Sequence, residues 1–184
     1  MADTKISGLS ELTAVAPDDW LVAVDVSGTA ATMKATVENV QTDWHVGARV
    51  YNSANISIPN ATSTALTYDT ERFDTDAIHS TVANTSRLTC KTAGKYLIWF
   101  VGYFVNDANG SIRLGYIQLN GATTLAQERK APNVINSATF CVSCVYDLAV
   151  NDYVEFFAWQ DAGGAINFLA AANQSPEFGI QRIG

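Results

Sequence analysis

Histidine, cysteine and basic residues are scarce in this chain of 184 residues, and each scarcity removes a class of function. Only His45 and His79 could act as an imidazole base, and no Gly-x-Ser-x-Gly elbow holds a nucleophile for either. His79 sits in a Ser/Thr/Asn-rich stretch, which predicts a turn and not a catalytic base. The glycine loops that cradle phosphates are missing. Eleven Lys and Arg against eighteen Asp and Glu give a net charge of −7, so the clustered positive charge that nucleic acid requires is absent. No apolar run reaches the ~18 residues of a membrane helix. The polar start MADTKISGLSEL does not read as a signal peptide. The expectation is a protein made in a cytoplasm, without enzymatic activity, cofactor, nucleic-acid partner or membrane insertion.

Three cysteines, Cys90, Cys141 and Cys144, are an odd number and do not suggest a disulfide framework. Cys141 and Cys144 have the spacing of a redox or zinc pair, but their flanks, TFCVSCVY, read as strand. Residues three apart on a strand point to opposite faces, so core thiols are expected and no shared metal. Asp69, Glu71, Asp74 and Asp76 place four carboxylates within eight residues. Calcium would need several of their oxygens to converge. The preferred reading is a solvated edge loop whose charge discourages strand pairing.

What the chain has in quantity is hydrophobic residues, 48% of the total, enough for a sizeable core without staples. The segment Gly94 to Val105, GKYLIWFVGYFV, is a strand with large apolar residues on both faces. Tyr96, Ile98, Phe100 and Gly102 line one face, and Leu97, Trp99, Val101 and Tyr103 the other. A sheet with one wet face would alternate with polar residues. A second sheet can cover one face, and another copy of the chain is expected over the other. The expected subunit interface is Tyr96, Ile98, Trp99, Phe100, Tyr103, Phe156 and Trp159.

From residue 48 onward, strands recur about every ten residues, with turn signals between them, as in sandwiches and jelly rolls. The expected strands include 49–52, 56–58, 64–68, 87–91, 111–119, 123–127, 137–148, 153–160, 165–169 and 177–183. In 111–119 the alternation is carried by Ile112, Leu114 and Tyr116. Asn120-Gly121 is a strong hairpin signal. Segment 72–76 reads as a loop or short edge segment. Residues 1–45 have a different character. There Ile6, Leu9 and Leu12 recur every third residue, Trp20 to Val26 reads as a strand, and Ala31 to Thr36 as its return. Thr36 is placed to cap a helix over Val37 to Trp44.

The order of segments resembles the C1q/TNF-like jelly-roll superfamily. The carrying residues are Arg72-Phe73-Asp74, then Arg87-Leu88-Thr89 and Ala93-Gly94-Lys95-Tyr96-Leu97-Ile98, the hairpin Ile117 to Gly121, Val145-Tyr146-Asp147-Leu148 with Asn151-Asp152-Tyr153-Val154, and Phe178-Gly179-Ile180. Asn151 stands where the family usually has Gly. The match spans about 48–184. Residues 1–45 are similar to the attachment arms of bacteriophage fibre and tail proteins, which begin with a K-I-S-x-L-x-x-L pattern. These resemblances imply an all-β antiparallel jelly-roll sandwich (46–184) behind a small N-terminal hairpin/helix arm (1–45). They imply a homotrimeric virion protein, a head fibre, decoration or spike protein, held to a capsid or tail protein through Ile6, Leu9, Leu12, Trp20, Leu21 and Trp44. The alternative is a receptor-binding fibre tip for a host surface glycan or protein, with contact loops at 60–63, 106–110 and 161–164. An acidic pair such as Glu155 and Asp161 is the least awkward route to a carbohydrate-active enzyme, and no motif supports it.

Overall fold

Alternating burial along Gly94–Tyr103 sets the architecture: Tyr96, Ile98 and Phe100 are sealed from solvent, while Leu97, Trp99, Val101 and Tyr103 keep partial exposure. A strand so patterned belongs to a sheet with one face in a core. The computed structural model describes residues 20–24, 32–36, 46–133, 135, 137–171 and 176–184. The chain divides into two compact units, Met1–Asp43 and Trp44–Gly184.

In the first unit, β1 (Trp20–Val24) pairs antiparallel with β2 (Thr32–Thr36), Trp20 opposite Thr36. Ile6, Leu9, Leu12 and the helix expected over 37–44 lie outside the described residues, as does Trp44.

The described residues of the second unit contain no helix. Its strands are β3 (Gly47–Tyr51), β4 (Ile56–Ile58), β5 (Thr64–Ala65), β6 (Thr70–Asp74), β7 (Arg87–Thr89), β8 (Gly94–Tyr103), β9 (Arg113–Leu119), β10 (Thr123–Lys130), β11 (Thr139–Leu148), β12 (Tyr153–Gln160), β13 (Ile166–Phe168) and β14 (Glu177–Arg182). One sheet runs β11-β8-β14-β3-β6. The other runs β10-β9-β12-β5, with β7 also on β12, and every pairing is antiparallel. The strand β6 falls where a loop or short edge segment is expected, and it is an edge strand. The strand β10 runs on to Lys130, beyond its expected end.

The two sheets meet through aromatic rings. Phe100 of β8 stacks on Phe156 of β12 with centroids 3.4 Å apart and planes within 9°. Phe168 meets Phe100 edge-on at 5.6 Å and Phe104 at 4.8 Å. Such pairs contribute ~0.5–1.5 kcal/mol beyond the area they bury. Glycine makes the space for them. A Cβ on Gly115 of β9 would stand 2.6 Å from the Phe156 ring and 2.9 Å from Phe140.

That requirement turns the apolar alternation of Ile112, Leu114 and Tyr116 away from the core. Arg113, Gly115, Ile117 and Leu119 face the core, and Leu114 and Tyr116 face outward, half-buried, with Ile112 half-buried just before the strand. At the β9–β10 turn, Asn120 and Gly121 have φ of 51° and 67°, the paired left-handed residues of a tight hairpin. Asn151, standing in for Gly, has φ of 73°, a conformation Asn tolerates.

Candidate functional site

Two regions of the second unit present side chains beyond the needs of folding. The first is the outward face of the β11-β8-β14-β3-β6 sheet. Register sets Trp99 between Ser143 on one side and Gly179 on the other. The indole lies flat against Gly179, where a Cβ would collide with three ring atoms. With Trp99 run Leu97 (38% exposed), Val101 and Tyr103 on β8, and Cys141 and Val145 (55% exposed) on β11. They form a continuous apolar strip.

Beside the strip is an ion cluster. Glu177 of β14 is 1% exposed, although it is on the outward face. Arg49 of β3 donates its Nε to Glu177 Oε2 at 2.6 Å. Arg72 of β6 donates Nη2 and Nε to Oε1 at 2.7 and 3.1 Å, and its guanidinium lies 4.3 Å over the Tyr51 ring. Two arginines thus roof one carboxylate, which satisfies its oxygens and removes it from water.

The structure divides the expected interface set. Tyr96, Ile98, Phe100 and Phe156 are buried between the sheets of a single chain and cannot face a partner, a correction that follows from the side-chain alternation of β8 and β12. Trp99 and Tyr103 lie on the apolar strip, and Trp159 lies on the outward face of the other sheet.

The second region is one end of the sandwich, where the loops 60–63, 106–110 and 161–164 are tied together. Asn60 Oδ1 accepts from the amide of Gly163 at 2.7 Å, and the amide of Ala61 donates to the carbonyl of Gln160 at 2.7 Å. The buried Gln160 side chain donates to the carbonyls of Ile58 and Gly164 at 3.0 and 2.8 Å and accepts from the amide of Ala162 at 2.6 Å. Asp161 Oδ1 accepts from the amides of Ile112 and Ser111 at 2.9 and 2.8 Å, and those bonds hold its carboxyl below the usual range. Arg113, 1% exposed, reaches Asp107 Oδ1 at 3.1 Å and the carbonyl of Asn109 at 2.8 Å, with Asp161 3.6 Å away. None of these three gives a sequence signal: Arg113 falls between the apolar residues Ile112 and Leu114, and Gln160 and Glu177 each sit at an ordinary strand terminus.

The remaining candidates are occupied with structure. Nδ1 of His79 is 2.9 Å from Glu71 and Nε2 is 3.1 Å from the carbonyl of Thr85. Asp69 binds the amide and hydroxyl of Ser53, and Asp74 accepts from the amides of Asp76, Ile78 and His79. Asp76 accepts from Thr92. The four carboxylates therefore turn to different partners, and no metal-holding cluster occurs among the described residues. Glu155 is held by Ser86 at 2.6 Å and Arg87 at 3.4 Å, away from the loops that Asp161 ties. Cys141 is exposed and Cys144 half-buried on opposite faces of β11, so neither is a fully buried core thiol. Cys90 is buried, and burial pushes its thiol up.

Solved structures share this fold. About 76% of the chain matches 99% of the crystal structure of murine APRIL at pH 5.0, with a TM-score of 0.58 and 11% identity. The same share matches 93% of Eiger TNF from S. frugiperda, with a TM-score of 0.51 and 13% identity. The globular domain of zebrafish complement 1qA covers 76% at 16% identity, but its TM-score of 0.48 carries no weight. No family model matches the chain, and no curated protein does. The second unit is an antiparallel jelly roll that shares its fold with the APRIL and Eiger TNF structures.

Proposed function

We propose that this protein is a homotrimeric structural component of a bacteriophage particle, a head fibre, decoration or spike protein, whose jelly roll forms the head and whose residues 1–45 attach it to a capsid or tail protein. The observation that carries the trimer is the apolar strip of Leu97, Trp99, Val101, Tyr103 and Val145 across one sheet face. A contiguous patch of this kind on a soluble β protein marks a protein interface, and obligate interfaces are core-like. The attachment role rests on the resemblance of residues 1–45 to fibre and tail arms. No catalytic step is assigned, since the titratable side chains around His79 and Glu155 are committed to hydrogen bonds within the fold.

Light scattering tests the assembly: three times the 19.8 kDa of one chain is expected, and a monomer mass overturns it. Deleting residues 1–45 tests the attachment. The truncated head should still assemble but should no longer co-purify with particles. A second reading, a receptor-binding tip, is favoured by one observation, the hydrogen-bonded end loops. A rigid scaffold that holds polar loops is a common design for recognition. Binding of the purified protein to host cells, lost on substitutions in loops 60–63, 106–110 and 161–164, would favour the tip over the purely structural role.

A further inference from the structure

The outward face of the β10-β9-β12 sheet carries a short groove beside the tied loops. Its walls are Ser63, Ile112, Leu114, Arg129 and Trp159, and it encloses about 270 Å³. Register explains the row: Arg129 of β10 faces Leu114 of β9, and Leu114 faces Trp159 of β12. Leu114, Trp159 and Ile112 are half-buried, so they form an apolar floor that water still reaches.

Arg129 differs from Arg49, Arg72, Arg87 and Arg113. Arg49 and Arg72 bind Glu177, Arg87 binds Glu155, and Arg113 binds Asp107. Arg129 is exposed and has no ion pair or hydrogen bond among the described residues. The carboxylates on either side of Trp159, Glu155 and Asp161, are already held, Glu155 by Ser86 and Arg87 and Asp161 by the amides of Ser111 and Ile112. In a chain of net charge −7, a free guanidinium on a groove that Trp159 also lines is an unanswered positive charge.

We infer that this groove binds a single acidic sugar residue. The apolar face of a pyranose ring would lie against Trp159 and Leu114, as aromatic side chains accommodate sugars and other flat apolar surfaces. Its carboxylate would take the guanidinium of Arg129 in the bidentate geometry the two groups share. Ser63, and beyond it Asn60 and Thr62, would meet ring hydroxyls. The loop that carries those side chains is already fixed by the Asn60–Gly163 and Ala61–Gln160 bonds, so little ordering cost remains. The volume is just below the ~300–1,000 Å³ typical of small-molecule clefts, which suits one ring and not a drug-sized ligand. An acidic peptide is the less favoured occupant, since the groove is too short to follow an extended chain. The inference concerns one chain and does not rest on the trimer.

The test is saturation-transfer NMR on the full-length protein with glucuronic acid and N-acetylneuraminic acid. Methyl glucuronate, glucose, acetate and a tetraglutamate peptide serve as comparisons. Both acidic sugars should show saturable transfer to ring protons, with Kd in the ~1–10 mM range expected of a single shallow ring contact. The methyl ester should bind about tenfold more weakly, because it keeps the ring and loses the charge. Arg129→Gln should reproduce that about tenfold loss, and Trp159→Leu should remove transfer to the ring, with both variants keeping the far-ultraviolet circular dichroism spectrum of the parent. Absence of saturable transfer from either acid overturns the inference. So does undiminished binding by Arg129→Gln, or tighter binding of tetraglutamate than of either sugar. Light scattering on the same sample keeps the readings apart: a trimer that fails to bind sinks the groove alone, and a monomer that binds sinks the trimer alone.

Discussion

The indole of Trp99 rests on the backbone of Gly179, the residue opposite it in the neighbouring strand β14. The contact exists only because Gly179 has no side chain. A methyl group there would meet Cζ2, Cη2 and Cε2 of the ring. Gly179→Ala should therefore lift the indole away from the sheet. The expected cost is about 1–3 kcal/mol of stability, typical of overpacking. Urea unfolding measures it, and a shifted tryptophan emission maximum reports the displaced ring.

Substitution on the apolar strip should separate folding from assembly. Trp99→Arg combined with Tyr103→Glu places charge on an outward face and leaves the buried face of β8 intact. The expected product is a folded monomer with an unchanged far-ultraviolet circular dichroism spectrum. A trimer that persists in light scattering would remove the strip from the interface.

The Glu177 cluster should respond asymmetrically. Glu177→Gln leaves Arg49 and Arg72, each about a third exposed, free to turn toward water, so a loss of about 1 kcal/mol is expected. Arg49→Met with Arg72→Met leaves a carboxylate at 1% exposure with neither partner. That double change should cost about 3–5 kcal/mol, the range for an orphaned buried charge. Denaturant titration of the two variants checks the order.

Asp161 supplies a pH signature. Amide hydrogen bonds from Ile112 and Ser111 hold its carboxyl below the ordinary 3.8, so its contribution is fully present above that value. It is lost as pH falls through the lower value of the folded state. Hydrogen exchange at the amides of Ser111 and Ile112, corrected for intrinsic rates, should lose protection on acidification before the β8 core does. Asp161→Asn keeps an acceptor but removes the charge, and its protection should not depend on pH in that window.

Much of the sandwich was legible because its strands follow period-two patterns bounded by turn residues. The hairpin at Asn120-Gly121 and the two-faced character of Gly94–Tyr103 are examples. The face of β9 was not legible. Ile112, Leu114 and Tyr116 look like a core stripe, yet the core takes Gly115, since only a residue without a side chain leaves room for Phe140 and Phe156. The interface was overfilled for a related reason. Tyr96, Ile98 and Phe100 are as apolar as Leu97 and Trp99, and sequence cannot say which alternate set meets the other sheet. The groove at Arg129 was invisible, because its parts come from β9, β10, β12 and the segment before β5, and only register brings them side by side.

The place of β14 has a consequence for biosynthesis. This strand, the last of those described, sits between β8 and β3 in the middle of its sheet. Until Glu177–Arg182 have left the ribosome, β3 and β8 have no neighbour to join them, and Phe100 lacks its partner Phe178 in the register. Closing such distant pairings is slow, and open strand edges invite the wrong chain. The nascent head should therefore stay dependent on chaperones until β14 has emerged, and then close this sheet in one late step.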